Sequence, residues 1–400
     1  MPDPGTTSAH GARHPHAPPR TRIWALNLGG FIGPFGGGVV APMLPELADR
    51  YGTSLTTVAW SMSVYTLPFA ILMLVSGTLA DGWGRRRTVR GGYLLYVVAT
   101  LLCMVAPTIT GFFGGRALQG VANAFTTPLL VAALYDAVPA AVLGRALGRF
   151  ASLQAAGMAF APLVGGVAAS IDYRWAFVVV AAAAGLLATV PPRDAVPAER
   201  GAGADSPRLT SRERWRALAN PRLVRASAMS FLFNLSAAGV MLLVALLAVD
   251  RFGLGPTSRG LVVAAFGTAG LVAAPWIGHV VDRAGARRAG LVAFALLAVV
   301  TLLIGLTHSV VGVVVGVALA GAAATGSRVV VNTLALGSTP DNRAGATSFA
   351  MSMMFLGTAV APLLFLPPYT RDAALGFAIA AVGAALAAAL LAPRSSTNPR

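Results

Sequence analysis

Apolar runs of about twenty residues recur along this chain, and nothing else in the sequence constrains its fold so tightly. A helix crossing a hydrocarbon core must satisfy every backbone polar group within itself, and it needs roughly 20 apolar residues to span the thickness. Runs of that kind lie near residues 23–45, 58–80, 88–106, 112–135, 146–169 and 174–192, and again near 224–248, 260–281, 289–307, 310–335, 345–367 and 372–392. The reading is an all-α polytopic membrane protein of twelve transmembrane helices. Composition agrees: 56% of the 400 residues are hydrophobic, 11% are charged and the mean hydropathy is +0.72, which excludes a water-soluble globular chain. The 45 glycines and 26 prolines follow no low-complexity period and suit helices that approach closely through small residues.

The runs fall into two sets of six, so the expected organisation is a disordered tail over 1–22, a six-helix half over 23–192, a linker over 193–223, a second half over 224–392 and a short tail over 393–400. The first tail carries Pro, His and Arg without an apolar stretch, which argues against a cleaved signal peptide. Within the linker, residues 211–218 (SRERWRAL) read as a short helix on the membrane surface. The halves resemble each other at a fixed offset. Gly77 to Arg87 aligns with Gly278 to Arg288 at 201, Ala117 to Gly120 with Ala318 to Gly321 at 201, and Gly157 to Leu163 with Gly357 to Leu363 at 200. Two same-sense six-helix repeats are a transporter architecture, with the substrate site near mid-membrane between them.

The formal charge of +16 comes from 30 basic residues, all arginine, against 14 acids. In a soluble domain that balance would suggest nucleic acid, but here 23 of the arginines lie in or beside the two tails and the connections after even-numbered spans. Arg50, Arg174, Arg251, Arg259 and Arg371 lie at the opposite ends, while Arg116 and Arg328 fall inside spans. The asymmetry follows the positive-inside rule, so both termini are expected in the cytoplasm, with no nucleic-acid partner. The one cysteine, Cys103, lies in an apolar run, so neither a disulfide framework nor a metal cluster is expected.

The connection after span 2, Gly77-Thr-Leu-Ala-Asp81-Gly-Trp-Gly84-Arg85-Arg86-Arg87, together with Pro42-x-x-Pro45 and Trp60-(x4)-Tyr65-x-Leu67, resembles the major facilitator superfamily, most closely its twelve-span drug or metabolite:proton antiporter branch. Gly82 stands where that family more often has a basic residue. The resemblance implies a gate in which Asp81 faces the start of span 11 and Arg85 bridges Asp81 to Asp136, with Gly84 permitting the turn and Asp282 and Arg287 as repeat counterparts. It also implies that Arg116, in Arg116-Ala-Leu-Gln119-Gly120, serves proton transfer or substrate, and that Gly157-(x3)-Ala161-Pro162-(x2)-Gly165-Gly166 forms the seam that controls leakage and direction. Ala161 replaces a glycine of that pattern.

A buried arginine costs roughly 2.5 to 3.5 kcal/mol on insertion scales, so Arg116 and Arg328 should face a polar space with a partner. The remaining deep polar residues are Asn27, Gln119, Asn123, Gln154, Asn234 and Asn332, candidates for substrate contact or for interhelical hydrogen bonds. Met351, Met353 and Met354 with Phe231 and Phe233 suit a pliable apolar wall or plain packing. No span has a carboxylate at mid-depth, and residues 23–45 hold only Asn27 as a deep amide. Two arginines with amides favour a neutral or anionic substrate over a lipophilic cation. The expectation is a monomeric plasma-membrane exporter, not an enzyme, that uses no cofactor but the proton gradient. A facilitator or importer of the same fold, and a broad pump for lipophilic cations, are the alternatives.

Overall fold

The computed structural model describes residues 20–138, 140–192, 220–338 and 343–392. The surface helix expected at 211–218 and both tails lie outside these residues. Span 1 is the helix Arg20–Gly38, continued by a 3-10 turn Ala41–Met43 and a short helix Leu44–Tyr51. Span 2 is Leu55–Trp83, span 3 Arg85–Val105, span 5 Ala140–Ile171 and span 6 Arg174–Thr189. In the second half, span 7 is Pro221–Asp250, spans 8 and 9 share Pro256–Leu306, span 10 is Val310–Ser338, span 11 Arg343–Tyr369 and span 12 Ala373–Leu391.

Local chemistry explains the ends. Ser54 accepts from Thr57 N at 3.1 Å, Thr108 from Gly111 N at 3.2 Å and Asp372 from Leu375 N at 3.1 Å, each satisfying an amide that the first helical turn leaves free. Span 4, read from the sequence as continuous, is broken into Ile109–Ala124 and Thr127–Ala137. The cause is Pro128, which has no N–H and whose ring clashes with the carbonyl of Ala124. At the break the Asn123 carbonyl accepts from both the backbone N–H and the hydroxyl of Thr126, each at 3.1 Å.

The repeat is written into the backbone. Among the described residues four glycines have positive φ, and they form two pairs at an offset of 201: Gly52 and Gly253 (59° and 60°), and Gly84 and Gly285 (84° and 78°). Gly285 is the turn that separates spans 8 and 9, with no intervening loop. The closest helix approaches repeat too. A Cβ at Gly120 would strike the Tyr65 carbonyl oxygen and one at Gly321 the Phe266 oxygen, while Gly157 and Gly357 press on the carbonyls of Phe31 and Phe231.

Large apolar side chains cover the outside of the bundle, as at Val292, Val311, Leu303 and Leu386, which suits lipid and not water. Trp24, Trp60, Trp83, Trp175 and Trp276 are exposed towards the two rims, where amphipathic rings prefer to lie. The interior divides unequally. One apolar cluster lies wholly within the first half, around Leu26, Tyr93, Leu130 and Phe150. A second runs through the second half and joins the arginine-poor ends of the first, at Val39, Leu44, Val58, Phe112 and Phe177. The halves therefore share a core at the arginine-poor face.

Candidate functional site

Arg116 is enclosed by spans 1 to 4 and fully buried. Its Nη1 donates to the Gly36 carbonyl at 3.1 Å and to Gln119 Oε1 at 2.8 Å, its Nε lies 3.5 Å from the Ser61 carbonyl, and its guanidinium lies 4.3 Å from the Tyr65 ring centre. Gln119 donates onward to Thr100 Oγ1 at 2.8 Å. Asn123 continues the network, donating to Tyr65 Oη at 3.0 Å and accepting from the Thr127 hydroxyl at 2.7 Å, while Tyr65 donates to the Gly33 carbonyl at 3.2 Å. The structure thus brings Arg116, Gln119 and Asn123 together, and where the sequence led one to expect an open polar cavity it places carbonyls and an aromatic face around the charge. Arg116 Nη2 is left without a partner among the described residues. Its repeat counterpart Val317 is buried apolar packing, so the fold does not demand a charge there.

The seam on span 5 faces two ways. Gly157 and Gly165 lie against the carbonyls of Phe31 and Val39 in span 1. Pro162 and Gly166 face the other half: a Cβ at Gly166 would lie 2.5 Å from the Pro256 oxygen and 2.9 Å from Gly260 Cα, and Gly260 itself presses on the Pro162 carbonyl. About two turns further in, a Cβ at Gly267 would lie 2.5 Å from Ala159 Cα. Spans 5 and 8 therefore meet backbone to backbone near the arginine-poor face. Spans 2 and 11 form another contact between halves, through the rings of Phe69 and Phe355, tilted at 54° with centres 4.4 Å apart, and a hydrogen bond from Ser352 to the Ala70 carbonyl at 2.6 Å. Met351 belongs to this wall.

A bidentate ion pair joins the halves at the same face. Arg259 Nη2 donates to both oxygens of Glu46 at 2.6 and 2.7 Å, and its Nε donates to the Pro42 carbonyl at 2.7 Å. The arginine side chain is 3% exposed and the glutamate 26%. Glu46 lies in the first turn of Leu44–Tyr51, where the helix dipole favours negative charge. Sequence reasoning counted Arg259 only as an orientation signal and passed over Glu46. The available hint was an acid just after Pro42-x-x-Pro45 and an arginine just after Pro256.

The other expected residues are dispersed. Asn234 donates to the Met354 carbonyl at 2.8 Å and also bonds Thr358, tying span 7 to span 11. Asn27 is buried with its Oδ1 unsatisfied among the described residues. Arg328 is half-buried, its Nη1 3.9 Å from Met158 Sδ across the boundary between halves, and Gln154 and Asn332 are half-buried nearby in sequence on the same two helices. At the arginine-rich face, Gly84 makes the expected turn ahead of Arg85, and Arg287 Nε donates to the Leu391 carbonyl at 3.2 Å. The side chains of Asp81, Asp136 and Asp282 lie outside the described residues. No group of His, Cys, Asp and Glu suited to a metal occurs among the described residues.

Among the described residues, eleven helices long and apolar enough to cross a membrane, with the shorter apolar helix Arg174–Thr189, in two repeated halves that meet along paired spans, define a polytopic transporter fold. The chain belongs to the Major Facilitator Superfamily, whose profile matches residues 26–362 and 226–400. It is similar to the MFS-type transporter YwfA of Bacillus subtilis (29% identity; 38% of this chain, 37% of that one), to the MFS-type transporter EfpA of Mycobacterium tuberculosis (34%; 34% and 26%) and to the puromycin resistance protein pur8 of Streptomyces alboniger (36%; 35% and 28%). These matches span little more than a third of the relatives' length at most. Among solved structures, the human organic anion transporter MFSD10 superposes with a TM-score of 0.71 at 18% identity over 94% of this chain and all of that one, and a bacterial Spinster homologue with 0.74 at 15% over 92% and 95%. At those identities the likeness is one of fold.

Proposed function

We propose that this protein exports a small drug-like compound or metabolite, neutral or anionic, across the plasma membrane by proton antiport through alternating access. The observation that carries the reading is the closure of the arginine-poor face. A bidentate ion pair and a glycine-lined seam join the halves there, and both are contacts that rigid-body rocking of the halves would make and break. With the arginine-rich side cytoplasmic, this is the outside-closed conformation. The seam pattern on span 5 and the resistance role in the name of one relative support the outward direction. In this reading Asp81, Gly84, Arg85 and Asp136, with Asp282 and Arg287, form the opposing cytoplasmic gate. The carboxylates that exchange protons lie at span ends, since none lies at mid-depth. Arg116, held by the Gly36 carbonyl and Gln119, is structural in this reading. It fixes spans 1 to 4 as one body.

The test is uptake into inverted membrane vesicles with an imposed pH gradient, using puromycin and an organic anion as candidates. Accumulation that collapses with the gradient is the expected result. Equilibration that ignores the gradient, with counterflow intact, would make the protein a facilitator; strong transport of lipophilic cations alone would return it to the multidrug cation class.

A further inference from the structure

Two of the enclosed arginines are held by oxygens of the protein: Arg116 by the Gly36 carbonyl and Gln119, and Arg259 by Glu46 and the Pro42 carbonyl. Arg328 is not. Among the described residues its hydrogen-bond partner is the thioether of Met158, a weak acceptor for a guanidinium. Arg328 precedes the end of span 10 at Ser338 by ten residues, about 15 Å of helix, so the charge lies deep. Side chains lean towards their helix N-terminus, which for span 10 is the arginine-poor end, so Arg328 points away from the nearer rim and does not reach its headgroups. Its contact with span 5 places it at the boundary between halves and not against lipid.

Two amides accompany it. Asn332 follows Arg328 by four residues on one face of span 10, and Gln154 precedes Met158 by four on one face of span 5. The two helices run antiparallel, so both amides fall on the arginine-rich side of the Arg328–Met158 contact. Both are half-buried, and neither has a protein hydrogen-bond partner among the described residues. Pro162 adds to the local polarity, because its missing N–H leaves the Met158 carbonyl without a helical donor. A deep guanidinium and two amides without partners, arranged across the moving boundary and beside apolar Met158, are what an amphipathic anion requires.

We propose that Arg328, with Gln154 and Asn332, forms a subsite for the oxyanion group, a carboxylate or sulfonate, of an amphipathic substrate bound between the halves. This deepens the transport reading above and rests on it only for what happens after binding. The oxyanion takes the place of a protein carboxylate, which Arg328 lacks among the described residues, and Met158 meets the apolar part next to it.

The experiment uses the full-length protein in nanodiscs of phosphatidylcholine, which carries no net charge, with fluorescein and rhodamine 123 as probes that share a ring system and differ in charge. Fluorescence anisotropy should show fluorescein binding that falls about tenfold or more in Arg328→Gln and less in Arg328→Lys, the loss of a charge-assisted bond being worth about 1.5 to 3 kcal/mol. Asn332→Leu and Gln154→Leu should each weaken it about threefold, and rhodamine 123 binding should be weak and indifferent to Arg328→Gln. Equal fluorescein affinity in the wild type and Arg328→Gln, or no fluorescein binding at all, overturns the subsite. If Arg328→Gln does not stay monodisperse, unchanged affinity in the other three variants overturns it. Arg328-dependent binding without transport of any dye into wild-type vesicles upholds the subsite and counts against the transport reading instead.

Discussion

Glu46 and Arg259 hold the halves together only as long as both charges are present, and their unequal burial sets what happens when one is removed. Glu46→Gln leaves a nearly buried guanidinium facing a neutral amide, a loss of about 2 kcal/mol from the closed face, since charged hydrogen bonds contribute roughly 1.5 to 3. Cysteines placed on the arginine-poor side should react about ten times faster or more with an impermeant maleimide, while insertion is unchanged. The exchange Glu46→Arg with Arg259→Glu should recover much of the protection, which a purely steric role would not allow. Arg116 makes a different prediction, because its acceptors lie within one half. Arg116→Gln strands the carbonyls of Gly36 and Ser61, so it should lower the melting temperature of purified protein and its monodisperse yield. A variant of full stability with only a raised KM would instead return Arg116 to the substrate.

The helices themselves were largely legible in the sequence, since length, caps and turn glycines are local properties. The paired motifs at offsets of 200 and 201 led to the repeat, and the glycines at Gly84 and Gly285 show why those positions matched: each turn needs φ near +80°. The break in span 4 was missed because Pro128 lies within an apolar run that looks continuous. The Glu46–Arg259 pair was missed for another reason. Its members are 213 residues apart and meet only through the register of one half against the other, which no local pattern encodes. The acceptors of Arg116 are backbone carbonyls, which are invisible in any sequence. Span 5 gives an element-scale prediction from these contacts. Gly166→Val puts bulk where a Cβ would already lie within 2.5 Å of the Pro256 oxygen, so it should hold spans 5 and 8 apart, abolish efflux and open a leak. Gly148→Ala on the same helix meets nothing within 4 Å and should transport normally. Equal activity in the two variants would reduce the seam to generic packing.

At the scale of the whole molecule, the fold offers one closure at each face, and a transporter must hold them in balance. The arginine-poor closure is carried by the ion pair and the span 5–span 8 seam; the opposing one, by proposal, by Asp81 and Arg85 with Asp136. A contact made in only one state biases the equilibrium by its own free energy, and about 1.4 kcal/mol changes the ratio of states tenfold. Asp81→Asn should therefore enrich the inward-facing state and Glu46→Gln the outward-facing one, each slowing transport by trapping one side of the cycle. Because the two substitutions push in opposite directions from distant sites, their free energies should add, and the double variant should return towards the wild-type ratio of states. Spin labels at each face would read that ratio through distances between the halves. A double variant that transports faster than either single variant, with a recovered distribution, is the expected result. Were Asp81→Asn to leave the distribution unchanged alone and in combination, the balance would rest on the arginine-poor closure and on lipid contacts, and the cytoplasmic carboxylates would serve only to orient the chain.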